Sequence, residues 1–302
     1  MSGHNANLDR VRFHPHESNL LCTSAEEGAI RLWDVRANHG KNFAKIELTS
    51  NAVSAEWHPS SSKSCQYICV SQSNNYVQVF DIRKMQNVNG SGGSGSRGAR
   101  SAPQSAAPTK ALRSFDLNPD ILRDSHFSPS GTHLVVATKS PDGMGQLKHF
   151  LWDRPEKDQL EMNSVTGHIG SIYTIRFSPD GTKLATGGHD ALVGLWDVKS
   201  MICKSTISRN KFIRSVSYSY DSKILACCGD EDGIVLANCQ TGTQIDKFSL
   251  QSSRKNAPAG GGSDEIAFHP KAYVLACARI GSPSDTKGAH VTIAKLDIAA
   301  DQ

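Results

Sequence analysis

IYTIRFSPDGTKLATGGHDALVGLWDV (172–198) decides the fold. Its first six residues alternate β-branched or aromatic with polar, which reads as a half-buried strand. Ser-Pro-Asp-Gly then breaks the run as a turn. KLATGG is a second strand of small residues, His-Asp-Ala a second turn, and LVGLWDV a third strand closing on an aromatic and Asp.

The same phrase recurs along the chain. VRFHP, LLCTSAEEG and AIRLWDV (11–35) form the first unit, and VSAEWHP, YICVSQSNN and YVQVFDI (53–82) the second. DSHFSP, HLVVATKS and LKHFLWD (124–153) follow, then the quoted unit. IRSVSYSYDS, ILACCGDED and GIVLANC (213–239) form the fifth. DEIAFHP, YVLACAR and HVTIAKLDI (264–298) form the sixth. A fourth strand is expected in each of the first five units, among them 43–48, 111–117, 203–208 and 244–250, for 23 strands in all. The marker aromatics Phe13, Trp57, Phe127, Phe177, Tyr218 and Phe268 lie 44, 70, 50, 41 and 50 residues apart. The long interval holds a Gly/Ser/Pro-rich insertion, 85–110. Without it every spacing is about 45, the length of a four-stranded propeller blade. The expectation is one all-β propeller domain over 3–302, with 85–110 as a flexible insertion inside the second unit.

Composition excludes other classes. With 302 residues, 38% hydrophobic and net charge +4, the chain has no apolar run long enough for a bilayer-spanning helix, and bulk charge does not argue for nucleic-acid binding. The start, MSGHNANLDR, lacks the pattern of a signal peptide. The eight cysteines include no CxxC. Seven lie in or beside apolar stretches and Cys65 in a polar turn, which reads as reduced thiols in a cytosolic or nuclear protein. His14, His58 and His269 precede proline and read as turn residues. His14 and His16 could share a metal but have no third ligand at useful spacing. GSGGSGSRG lacks the strand before and helix after that would aim amides at a phosphate. With Lys84, Arg97, Arg100 and Lys110 it reads as a basic solvated tether rather than a nucleic-acid contact.

Three literal Trp-Asp pairs (Trp33–Asp34, Trp152–Asp153, Trp196–Asp197) and two Gly-His pairs (Gly3–His4, Gly167–His168) make the chain resemble the WD40 family. The resemblance implies a hydrogen-bonded structural tetrad of His168, Thr186, Asp190 and Trp196. In the first unit it implies another of His4, Thr23, Glu27 and Trp33, with Glu in place of the usual Asp. A buried indole and imidazole need such partners. The His-Thr-Asp set imitates a catalytic triad but is structural in the family. In the fifth unit Cys227, Glu231 and Ala237 fall at the matching places, so that unit is expected to be held by packing alone. The family usually has seven blades. The six units here are expected to be such a ring without its first blade; a six-bladed ring or an arc completed by a partner are the alternatives.

Interaction surfaces are expected on the perimeter, where 140–146, 251–263 and 280–289 form long loops. Arg209, Lys211, Phe212 and Arg214 form a basic-aromatic cluster entering the fifth unit. It reads either as a partner anchor or, for Phe212, as packing between blades. Residues 183–242 and the EIAFHPKAYVLACA stretch also look like the THO subunit 3 family of the transcription-export assembly. That resemblance implies a non-enzymatic nuclear scaffold with no cofactor, metal, membrane or small-molecule substrate. It would dock other THO subunits and mRNA export factors, with RNA contact secondary. A ubiquitin-ligase substrate receptor is the alternative WD40 adaptor.

Overall fold

Six antiparallel sheets account for the ordered secondary structure of this computed structural model, which describes residues 3–6, 8–36, 42–59, 67–84, 109–152, 162–231, 233–248, 265–279 and 290–297. The first repeat comprises β1 (Leu8–Phe13), β2 (Leu20–Ala25), β3 (Ala29–Asp34) and β4 (Ala44–Glu47). The second has β5 (Ala52–Trp57), β6 (Tyr67–Gln72), β7 (Tyr76–Asp81) and β8 (Arg113–Asp116). The third has β9 (Ile121–Phe127), β10 (His133–Lys139), β11 (Gly145–Leu151) and β12 (Met162–His168). The fourth follows with β13 (Ile172–Phe177), β14 (Lys183–Gly188), β15 (Leu192–Asp197) and β16 (Ile202–Ser208). The fifth has β17 (Ile213–Tyr218), β18 (Ile224–Gly229), β19 (Ile234–Asn238) and β20 (Gln244–Phe248). The sixth has β21 (Glu265–Phe268), β22 (Val274–Arg279) and β23 (His290–Lys295). In each sheet the strands are neighbours in chain order. Among the described residues the only helical segment is one short turn, Ile82–Lys84.

This is the all-β β-propeller architecture, with the six repeats that the sequence phrase marks. Packing divides the chain into two compact units, 1–127 and 128–302, with the division between β9 and β10. The insertion opens between β7 and β8; its residues 85–108, like the loops 251–263 and 280–289, Cys65 and Asp153, lie outside the described residues. Gly167–His168 ends β12, where His168 is in register with Gly145 of β11.

Burial follows strand position. The second strands (LLCTSA, YICVSQ, KLATGG, ILACCG) are buried almost throughout, whereas β16 alternates and β20 is nearly all exposed. Small residues on both faces of the second strands let neighbouring sheets approach closely. Each of these described junctions thus joins a trailing face of one repeat to a leading face of the next. Ala52, Ala55 and Trp57 cluster with Cys22, Ile30 and Leu32 of the first repeat. Ile172, Ile175 and Phe177 cluster with Val135, Ala137 and Leu147, and Ile213, Val216 and Tyr218 with Ala185, Val193 and Leu195. Each large side chain buried this way contributes about 1.5–3 kcal/mol. The marker aromatic adds a polar pin in one junction: Trp57 Nε1 donates to the Arg12 carbonyl at 3.0 Å.

Candidate functional site: polar cores of the repeats and an aromatic rim

In the fourth repeat, His168 from the end of β12, Thr186 from β14, Trp196 from β15 and Asp190 from the β14–β15 turn meet as one chain of hydrogen bonds. Trp196 Nε1 donates to Thr186 Oγ1 at 2.9 Å, and Thr186 Oγ1 lies 2.7 Å from His168 Nε2. His168 Nδ1 lies 2.9 Å from Asp190 Oδ1, while the Ile169 and Leu192 amides donate to the same carboxylate at 3.0 and 3.2 Å. One proton arrangement satisfies every member. The indole donates to the hydroxyl, the hydroxyl donates to Nε2 of a neutral imidazole, and Nδ1–H donates to the carboxylate. The threonine hydroxyl is therefore engaged on both sides and buried, an arrangement that fixes a turn rather than activates a nucleophile. Glycine precedes the histidine because space demands it: a Cβ on Gly167 would lie 2.6 Å from the Trp196 ring.

The first repeat brings His4, Thr23, Glu27 and Trp33 together in the same way. His4 Nδ1 is 2.8 Å from Glu27 Oε1, His4 Nε2 is 2.6 Å from Thr23 Oγ1, and Trp33 Nε1 donates to Thr23 Oγ1 at 2.8 Å. The longer glutamate reaches further: it accepts from the Asn5 amide at 2.8 Å and from the Arg31 guanidinium at 3.2 Å. Burial lowers the His4 pKa below its usual value, against the opposing pull of Glu27. Burial would raise Glu27, but the Asn5 amide, His4 and Arg31 outweigh it and hold its carboxyl low.

The fifth repeat departs from expectation. It is held not by packing alone but by an ion pair. Arg209 stands four residues ahead of β17, as His168 stands four ahead of β13. Its Nε donates to Glu231 Oε2 at 3.1 Å and its Nη2 to the Gly233 carbonyl at 3.3 Å. Glu231 also accepts from the Asn210 amide at 3.3 Å and from Lys247 Nζ at 2.7 Å. The Lys247 contact is the main cause, despite the opposing effect of burial, of a Glu231 pKa lowered to about 2, with Asn210 and Arg209 adding to it. Arg209 is only 5% exposed, so it is a structural element and not a surface anchor.

The remaining cluster residues lie on the rim between the fourth and fifth repeats. Phe212 stacks on His189, ring centroids 3.9 Å apart, and lies 6.4 Å from the Tyr173 ring. The Arg214 guanidinium sits 5.1 Å over Tyr173 and pairs with Asp230 at 2.7 Å. Lys211 is exposed beside them, and Ile169 is 78% exposed one residue before Gly170, which abuts His189. Both readings of Phe212 hold in part: it packs across the junction and is also half-exposed. Tyr173, His189 and Asp230 were not legible as members from composition. Repeat phase would have found them, since Tyr173 and Arg214 are the second residues of β13 and β17, and His189 and Asp230 follow β14 and β18.

Elsewhere, His14 Nδ1 accepts from the His16 and Glu17 amides, and His269 Nδ1 from the Lys271 amide, as turn residues do. Among the described residues no three His, Cys, Asp or Glu side chains gather as metal ligands. Cys22, Cys69, Cys227, Cys228, Cys239 and Cys277 are buried free thiols, and Cys203 is half-buried.

The repeat model "WD domain, G-beta repeat" matches residues 1–34, 160–197 and 201–236, which contain the three polar cores. The chain thus carries WD40 repeats on a β-propeller fold, and WD40 propellers mediate protein–protein interaction. It is similar to THO complex subunit 3 of Arabidopsis thaliana, 23% identical over 92% of this chain and 73% of that protein. It is also similar to GATOR2 complex protein WDR24 of Homo sapiens (26% identical, 66% of this chain, 22% of that protein) and to Protein hir1 of Aspergillus terreus (30%, 54% and 16%). The chain spans less than half the length of these last two.

Proposed function

We propose that this chain is a non-enzymatic scaffold subunit of a THO-type transcription-export assembly, acting in the nucleus where messenger ribonucleoprotein is assembled and passed to export factors. The observation that carries the reading is coverage: the likeness to THO complex subunit 3 runs over 92% of the chain and 73% of that protein, whereas it takes in only 22% of WDR24 and 16% of Protein hir1. The rim supplies a means. A stacked His189–Phe212 pair and an Arg214 already held by Tyr173 and Asp230 lose little freedom on binding. Ile169 and Lys211 add an exposed apolar contact and a charge beside them. An aromatic-arginine cluster of this kind is the usual anchor of a protein partner. RNA contact is secondary to protein contact.

Affinity purification of the tagged chain from nuclear extract, read by mass spectrometry, tests this. Large THO subunits are the expected co-purifying proteins. Ile169→Glu with Arg214→Ala, both at exposed positions, reduces their recovery about tenfold or more. Recovery of cullin adaptors or GATOR2 components in their place overturns the assignment. Unchanged recovery by the double variant removes the rim from it.

A further inference from the structure

The turns after β13, β17 and β19 enclose a cavity of 230 Å³ between the fourth and fifth repeats, at the strand ends opposite the rim cluster. Its acceptors are spent inward. Asp221 Oδ1 accepts the Ser219 hydroxyl at 2.7 Å, and Oδ2 the Tyr273 hydroxyl at 2.5 Å. Asp180 Oδ1 accepts the Thr182 amide and hydroxyl at 3.0 and 2.9 Å. Asn238 Oδ1 accepts the Gln240 and Thr241 amides at 2.8 and 3.1 Å. Its donors are not spent. Among the described residues, Lys183 Nζ, Lys223 Nζ and Asn238 Nδ2 make no hydrogen bond or ion pair. Ser222 is buried, accepts the Asp180 amide at 3.1 Å, and keeps its own O–H free. The neighbouring Tyr218 hydroxyl, in the field of Asp180 and Cys239, has no hydrogen-bond partner among the described residues although the residue is only 6% exposed. Burial holds its pKa above the usual range, so it stays protonated and a donor. Against these donors stand two free acceptors, Asp180 Oδ2 and the Gln240 amide oxygen.

We propose that this cavity binds one anionic oxygen group, a carboxylate or a phosphoryl, carried on a side chain of a partner protein. Donor excess sets the sign of the ligand. Two ammonium groups and several neutral donors converge on a space whose carboxylates are largely engaged by their own turns, and hydrogen bonds to a charged oxygen are the strong ones. Volume sets its size: 230 Å³ lies below the range of pockets that enclose a whole small molecule, and suits a single head group. Charge sets the kind of partner. Asp180 and Asp221 border the cavity and repel a polyanion that brings many phosphates, whereas one acidic side chain meets the two lysines at close range. Both repeats supply walls, and the Asp180–Ser222 bond ties their turns together, so the site is formed before the ligand arrives.

Amide and lysine NMR of the full chain at constant ionic strength is the experiment. The probes are acetyl-Gly-phosphoserine-Gly-amide and acetyl-Gly-Glu-Gly-amide, with acetyl-Gly-Gln-Gly-amide as the neutral control. An acidic peptide shifts Ser222, Asn238 and the two lysines, and the glutamine peptide does not; the tighter of the two acidic peptides identifies the head group. Lys223→Met, at an exposed position, weakens binding about tenfold. Tyr218→Phe separates binding from folding. It removes a buried hydroxyl that has no partner, so it melts no lower than the wild type, yet it binds the acidic peptide more weakly. No shift up to about 20 mM of either acidic peptide overturns the proposal. Equal shifts by the glutamine peptide, or undiminished binding by both variants, overturn it too. So does a short single-stranded RNA that fills the site more tightly than either peptide. Purified chain suffices for the test, so failure here leaves the THO assignment standing.

Discussion

The fourth and fifth repeats are neighbours built on one backbone plan, yet their polar cores share no side chain. At equivalent positions stand His168 and Arg209, Thr186 and Cys227, Asp190 and Glu231, Gly194 and Val235, Trp196 and Ala237. The fourth repeat runs a hydrogen-bond relay from indole to carboxylate; the fifth uses an ion pair in which the arginine is nearly buried and Glu231 reaches Lys247. In both, the carboxylate accepts a backbone amide at the same place, from Ile169 or Asn210. What the plan requires is therefore an acceptor that pins the chain entering each first strand. The partner that holds the acceptor is free to vary.

The largest expected effect breaks the comparison at its apolar end. Trp196 is buried and clustered with Ile172, Ile175 and Leu184, so Trp196→Ala costs about 3–5 kcal/mol through the cavity and lost burial. The fifth repeat suggests how that loss is offset, since it has Ala at this place and Val two residues earlier. A Cβ on Gly194 would lie 2.7 Å from both Thr186 Oγ1 and Trp196 Nε1, so Gly194→Val alone is severely destabilising. Combined with Trp196→Ala the clash with the ring is gone and about 1–2 kcal/mol of the penalty of Gly194→Val is relieved, the contact with Thr186 Oγ1 remaining. Urea unfolding of the two single variants and the double variant measures this. Strict additivity would mean that the two repeats do not exchange volume between these positions.

Next in size is the charged core. Arg209→Ala strips Glu231 of its most buried partner while Lys247 remains, which costs about 2 kcal/mol. The fifth repeat also carries a pH signature. Glu231 has a folded pKa of about 2 against an ordinary 4.5, so it favours the folded state above 4.5, and that contribution is lost as pH falls from 4.5 towards 2. Glu231→Gln does not titrate. Its stability deficit relative to the wild type, followed by denaturant unfolding across that window, therefore shrinks as pH falls. A constant deficit would show that the carboxylate's charge contributes nothing there.

The fold was legible because its signal is redundant: six copies of a strand-turn-strand phrase, each ending in an aromatic at fixed phase. The relay residues of the first and fourth repeats were legible for the same reason, since literal Gly-His and Trp-Asp pairs mark them. The fifth repeat was misread because residue type was matched and position was not. Arg209 looked like a surface cation beside Phe212, although its distance from β17 marked it as the counterpart of His168. Guanidinium and imidazole both donate to a carboxylate, and only register tells that they stand in one place.

The smallest effect sharpens the comparison at its centre. In the fourth repeat the Thr186 hydroxyl bridges imidazole and indole, whereas Cys227 offers only a buried thiol, its pKa raised to about 11 by burial. Near it, Arg209 Nη1 is buried with no hydrogen-bond partner among the described residues. Cys227→Thr returns a hydroxyl acceptor to the position it holds in the fourth repeat, with little change of volume. If Nη1 reaches that hydroxyl, the gain is about 1 kcal/mol, the net worth of one buried hydrogen bond. Because the gain requires the guanidinium, it vanishes when Arg209→Ala is added. Thermal unfolding of the single and double variants reads the coupling, and a gain that persists without Arg209 would assign it to packing against Ala185 and Val193 instead.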